Sequence, residues 1–207
     1  MTTTIRTSRS RATTGRRRLG HARSRSFSSR RASSRAKTCD GTSTGSSRAR
    51  PATERASSRG RGVDSDFKER LLADARAAAS ELGLDAGPSP VVVAVENTES
   101  VHHMVVCTLC SCYPRALLGP PPDWYKSLPY RSRAVSDPRG VLEEFGLELG
   151  EDVELRVLDS TADIRYLVIP RRPEGTASLD EDELAALVTR DSMIGVAEPL
   201  APASAAV

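Results

Sequence analysis

Hydrophobic positions follow an ordered pattern only from about Val63 onward. Phe67, Leu71, Leu72, Ala75, Ala79 and Leu82 recur at helical spacing, with Asp64 or Ser65 able to cap the start and Gly83 placed to stop the helix. After the Gly87-Pro-Ser-Pro90 loop come two short β-branched runs, Val91 to Val95 and Met104 to Val106. Asp137-Pro138 supplies a cap and first-turn proline for a short helix carrying Val141, Leu142 and Phe145. Val153, Leu155 and Val157 then alternate with charged residues, as do Ile164, Tyr166 and Val168, which predicts two strands joined by a turn at Ser160-Thr161-Ala162. Ser178 with Glu181 forms the pattern of a capping box for a helix over Leu184, Leu187 and Val188. These elements predict a compact α+β domain over about residues 63–200, with residues 201–207 a flexible tail.

Upstream the pattern disappears. Residues 1–62 are rich in Arg, Ser, Thr, Ala and Gly and nearly devoid of branched aliphatics, so they cannot bury enough apolar surface to offset ordering entropy and are expected to be disordered. They hold about 17 basic and 2 acidic side chains, roughly +15, whereas the remainder is roughly −12. The net charge of +3 is therefore a cancellation, and any case for nucleic-acid binding rests on this segment alone. Three readings of it stay open: an organelle-type leader without an amphipathic stripe, a basic arm without interleaved aromatics, and out-of-frame translation or a misplaced start in a GC-rich gene. Nothing in the chain reads as a membrane span or a secretory h-region, and a cytoplasmic location is expected.

The second β-branched run leads into VCTLCSCYP, which sets Cys107, Cys110 and Cys112 within six residues at a strand end. A disulfide between Cys110 and Cys112 is sterically poor, and the fourth cysteine, Cys39, lies in the basic segment. Structural zinc fits better but lacks a second half-site; His102 and His103 point to opposite faces of a strand, so at most one could join, and both are expected to face solvent or bond to backbone. Three thiolates with the peptide nitrogens of Ser111 and Cys112 can instead wrap one small trivalent ion such as Co(III) or Fe(III).

VCTLCSCYP, with GPPPDWYKSLPYRSRAV, DPRGVLEEFG, DSTADIRYLVIPRRPEGT and LVTRDSMIGVA, closely resembles the nitrile hydratase α subunit and the related thiocyanate hydrolase γ subunit over about residues 66–198. The resemblance implies a metal held by Cys107, Cys110 and Cys112 and by the deprotonated amides of Ser111 and Cys112. It also implies oxidation of Cys110 to sulfinate and of Cys112 to sulfenate. Thr108 implies Co(III) rather than Fe(III), one ion per subunit, and Cys112, Cys110 and Arg115 are the implied catalytic residues. The implied partners are a β-type subunit whose arginines fix the oxidised sulfurs, a metal-delivery activator protein, and a small nitrile or thiocyanate as substrate. A lone chain is then expected to be inactive. A non-catalytic relative that holds zinc, with the basic segment on nucleic acid, is the alternative from another class.

Three departures from the family pattern bear on this. Arg115-Ala116 follows Cys112-Tyr-Pro where nitrile hydratases usually have Trp-Pro, and an arginine there is seen in thiocyanate hydrolase. Thr176-Ala-Ser-Leu179 replaces a turn that usually contains tryptophan, and residues 1–62 lack the periodicity of the usual N-terminal helices. Trp124 and Tyr125 are expected to pack, and Asp159 and Arg165 to support the site without touching substrate.

Overall fold

The computed structural model describes residues 64–88 and 91–202, so the expectations for residues 1–62 and for 203–207 lie outside the described residues. The apolar face predicted from Phe67 to Leu82 is real but belongs to two helices, α1 (Ser65–Ala73) and α2 (Ala75–Glu81). Asp74 causes the break: its extended backbone ends α1, and its carboxylate accepts from the N–H groups of Arg76 and Ala77 to cap α2. Phe67, Leu71, Ala75, Ala78 and Ala79 are buried, while Leu72 faces outward.

Four strands follow the predicted apolar runs: β1 (Val91–Glu96), β2 (Val101–Val106), β3 (Glu154–Asp159) and β4 (Ile164–Ile169). The turn after β3 forms, with the Thr161 N–H bonding the Ile164 carbonyl. It does not make a hairpin, because β3 pairs in parallel with β2 and β4 in parallel with β1, giving two two-stranded sheets. Parallel strands are normally covered on both faces, and this shows in burial. The strict alternation predicted for β4 gives way to four consecutive buried residues, Tyr166–Ile169, and in β2 residues 102–106 are all buried.

Helices α3 (Arg115–Leu118), α4 (Asp123–Lys126), α5 (Leu128–Ser136) and α6 (Pro138–Glu144) occupy the chain between β2 and β3. Asp137 caps α6 as expected. The Gly119-Pro122 path delivers Trp124 and Tyr125 into the core, where Trp124 makes edge contacts with Tyr130 and Phe145 at 4.9 and 4.7 Å between ring centroids. Both residues pack, as the sequence predicted.

Helix α7 (Glu181–Leu187) begins two residues later than expected: Asp180 with Glu183, rather than Ser178 with Glu181, forms the capping box. Both pairs fit the pattern, and a carboxylate is the stronger acceptor at the positive end of a helix. The turn at Thr176–Leu179 is closed by a polar clamp. Arg172 donates to the Thr176 carbonyl at 2.6 Å and to its hydroxyl at 3.2 Å, and that hydroxyl donates to the Pro173 carbonyl. Helix α8 (Arg190–Ile194) ends on Gly195, whose positive φ of 85° lets the backbone rest directly on β2; a Cβ there would lie 1.9 Å from the His103 carbonyl oxygen.

Candidate metal centre

The parallel pairing of β2 with β3 brings two carboxyl-terminal strand ends side by side, with Val106 opposite Asp159. Cys107 follows β2 directly and is buried, Cys112 is half-buried and Cys110 is exposed. Their sulfurs converge: Cys107 to Cys110 is 3.2 Å and Cys110 to Cys112 is 3.0 Å, and all three lie within 4.8 Å of one another.

The loop that carries them leaves the strand ladder, so its backbone polar groups need other partners. Asp159 accepts from the Thr108 N–H at 2.9 Å and from the Thr108 hydroxyl at 2.5 Å. Arg131 on α5 donates to the carbonyls of Cys107 at 3.1 Å and Thr108 at 2.6 Å. The Tyr125 hydroxyl donates to the Cys112 carbonyl at 2.9 Å, and the Tyr130 hydroxyl to the Val105 carbonyl just upstream at 2.6 Å. One strand and two helices thus fix the first, second and last residues of Cys107-Thr-Leu-Cys-Ser-Cys112. Asp159 was singled out from sequence as a supporting group. Arg131, and the contact of Tyr125 with the loop, were not.

Close packing splits the thiol ionisations. Hydrogen bonding from Cys112 and Cys107 draws the Cys110 thiol down to about 7, and the N–H groups of Cys112 and Ser111 act in the same sense. Burial pushes the Cys112 thiol up to about 12, with the Cys110 hydrogen bond adding to it and the Arg165 charge opposing. The Cys110 proton therefore leaves well before that of Cys112. Three soft sulfurs within reach of one ion, on a loop whose backbone is already fixed, fit a thiophilic metal. Among the described residues no other group of three or more potential ligands converges in this way.

His102 and His103 take no part in the cluster. Both are buried, contrary to a solvent-facing placement, and Asn97 connects them. Its amide N–H₂ faces His102 Nδ1 at 3.1 Å, and its oxygen accepts the His103 backbone N–H at 2.8 Å and faces His103 Nδ1 at 3.2 Å. His102 Nε2 lies 2.9 Å from the Gly195 carbonyl, which makes it the donor of the pair. Burial lowers both histidines, His103 to about 4, so both are neutral.

Arg115, exposed at the start of α3, lines the opening above Cys110, Ser111 and Cys112 together with Lys126 and Arg165. A family model described as "Nitrile hydratase, alpha chain" matches residues 43–197. The chain belongs to the nitrile hydratase α-chain family. The match opens upstream of Val63, within the basic segment. The low-molecular-weight cobalt-containing nitrile hydratase subunit alpha of Rhodococcus rhodochrous is 56% identical over 143 residues, 69% of each chain. The thiocyanate hydrolase subunit gamma of Thiobacillus thioparus is 44% identical over 148 residues, 66% of this chain and 61% of that one. A solved structure of a histidine double mutant of the Fe-type nitrile hydratase from Comamonas testosteroni Ni1 superposes with a TM-score of 0.68 at 41% identity, covering 73% of this chain and 74% of that one. This nitrile hydratase α-type chain therefore has relatives named for cobalt and for iron, and for nitriles and for thiocyanate.

Proposed function

We propose that this chain is the metal-binding subunit of a cobalt nitrile hydratase, acting with a β-type subunit to hydrate nitriles to amides. The observation that carries the reading is the convergence of the Cys107, Cys110 and Cys112 sulfurs on a loop held by Asp159, Arg131 and Tyr125. Cys107, Cys110 and Cys112 would hold the ion through sulfur, with the amide nitrogens of Ser111 and Cys112. Bound there, Co(III) supplies Lewis acidity toward a C≡N group. Cobalt is preferred over iron because of Thr108 and of the cobalt-containing relatives.

The remaining work falls to the chain's own groups. Buried Cys107 excludes water from the inner side of the cluster, and exposed Cys110 with half-buried Cys112 presents the outer side to substrate. The Arg165 charge, which favours the ionised form of the Cys112 thiol, would equally favour a Cys112 sulfenate next to a Cys110 sulfinate. Tyr125 holds the Cys112 carbonyl, and with it the backbone that aims this sulfur. Arginines of the β-type subunit would complete the charge balance, and an activator protein would deliver the metal. Among the described residues no helix is long and apolar enough to cross a membrane.

The thiocyanate hydrolase reading is favoured by one observation, the placement of Arg115 at the opening, where a cation suits an anionic substrate. Turnover separates the two: the αβ complex from cobalt-supplemented cells should convert a small nitrile to its amide, and Cys112→Ser should abolish this. Release of carbonyl sulfide and ammonia from thiocyanate with no amide formed from nitriles would overturn the first reading in favour of the second.

A further inference from the structure

Two cavities share a pair of arginines. The opening above the cysteines, about 460 Å³, is lined by Cys110, Ser111 and Cys112 and by three cations, Arg115, Lys126 and Arg165. A side cavity, also about 460 Å³, shares Arg115 and Arg165 and is otherwise walled mainly by Ala86, Pro88, Pro114 and Ala116. Among the described residues neither lining contains a carboxylate. Positive charge is thus concentrated where apolar wall and reactive sulfurs adjoin.

The three cations differ in their commitments. Lys126 lies 3.6 Å from Asp123 of its own helix. Arg165 donates to the carbonyls of Thr161 and Ile164, which fixes its guanidinium near Cys112 without neutralising it. Arg115 is exposed, bonds through its backbone to Tyr113 and Gly119, and has no hydrogen-bond or ion-pair partner on its guanidinium among the described residues. An unpaired guanidinium in a concave, acid-free mouth attracts anions, and its planar fork matches a carboxylate in a bidentate pair.

We propose that the site is specific for nitriles that carry a carboxylate, with the C≡N end toward Cys110 and Cys112 and the carboxylate on Arg115. Arg165 supplies the second positive charge, and the Pro114 and Ala116 wall accepts the intervening methylenes. This rests on the nitrile-hydrating reading and narrows its substrate class. Selection comes from charge: a neutral nitrile of equal length leaves the Arg115 guanidinium with no new partner.

The test uses the cobalt-loaded αβ complex with 3-cyanopropanoate and its neutral methyl ester. The ratio of kcat/KM, acid over ester, should exceed one and fall about tenfold or more in Arg115→Gln, mainly through KM of the acid, with Arg115→Lys retaining part of it. Higher ionic strength should lower the ratio in the parent and not in Arg115→Gln. A ratio that the variant leaves unchanged would overturn the proposal. Calorimetric titration of the cobalt-free complex gives a readout independent of turnover. Binding of 3-cyanopropanoate that weakens about tenfold in Arg115→Gln, while the cobalt-loaded complex hydrates no nitrile, would uphold the anion site and refute the hydratase reading. Normal nitrile turnover without Arg115-dependent binding would do the reverse, and binding of thiocyanate but not of the organic acid would also refute carboxylate specificity.

Discussion

At the residue scale, most of what shapes the candidate centre acts on backbone. The three cysteines are spaced so that their sulfurs can meet, but the loop adopts that form because Asp159 and Arg131 satisfy groups the strand ladder no longer reaches. Each removes a distinct constraint when lost. Arg131→Met should leave two loop carbonyls without their donor and cost about 1.5–3 kcal/mol of local stability. The expected outcome is an αβ complex that still folds by circular dichroism but loses cobalt to a chelator several-fold faster than the parent. Asp159→Ala should do the same through Thr108, and Asp159→Asn, which keeps one acceptor oxygen, should lie between. Equal metal retention in all of them would show that the cysteines alone fix the loop. Cys107, Cys110 and Cys112 were legible in the sequence because their spacing is itself chemical information. Arg131 was not, because α5 carries two arginines, Arg131 and Arg133, and no periodicity distinguishes the one that turns toward the cysteine loop.

Element-scale consequences centre on β2, the strand that delivers Cys107. All four strands could be placed from runs of branched residues, whereas their partners could not: the Ser160–Ala162 turn looks local, yet pairing is between β3 and β2 and between β4 and β1. The reason is burial on both faces, which weakens alternation and hides the topology. The break at Asp74 was hidden likewise, because apolar spacing continues across it. Gly195 marks where α8 presses on β2. Gly195→Ala combines a positive φ of 85° with a Cβ 1.9 Å from the His103 carbonyl oxygen, and should destabilise the domain by about 3 kcal/mol or more, measured as a lower urea midpoint at constant slope.

The Asn97, His102 and His103 network makes the same strand acid-sensitive. Desolvation lowers His103 to about 4, Arg156 on β3 and His102 add to the shift, and Glu154 with a backbone hydrogen bond at Glu96 opposes it. His102 is also lowered by burial, against a hydrogen bond to Gly195 and the charge of Glu198. The folded pKa lies below the unfolded value of about 6.5, so the unfolded chain takes up the proton first. Stability from this network is therefore present above pH 6.5 and lost as pH falls toward 4, on the order of 2–3 kcal/mol for His103. Urea midpoints should fall over that window in the parent and fall less in His103→Gln. A flat profile would mean that the imidazole is solvated.

For the whole molecule, two oppositely charged parts share one chain, and the described part contains the family fold with its cysteine cluster. Composition and charge separate those parts without any alignment. Which ion the cluster takes is a property of donor atoms in three dimensions, and the most direct test of the account is elemental analysis of the αβ complex co-produced in cobalt-supplemented medium. Close to one cobalt per αβ pair is expected, with absorption in the near ultraviolet and visible that Cys107→Ser eliminates. Zinc, or a folded complex without metal, would contradict it.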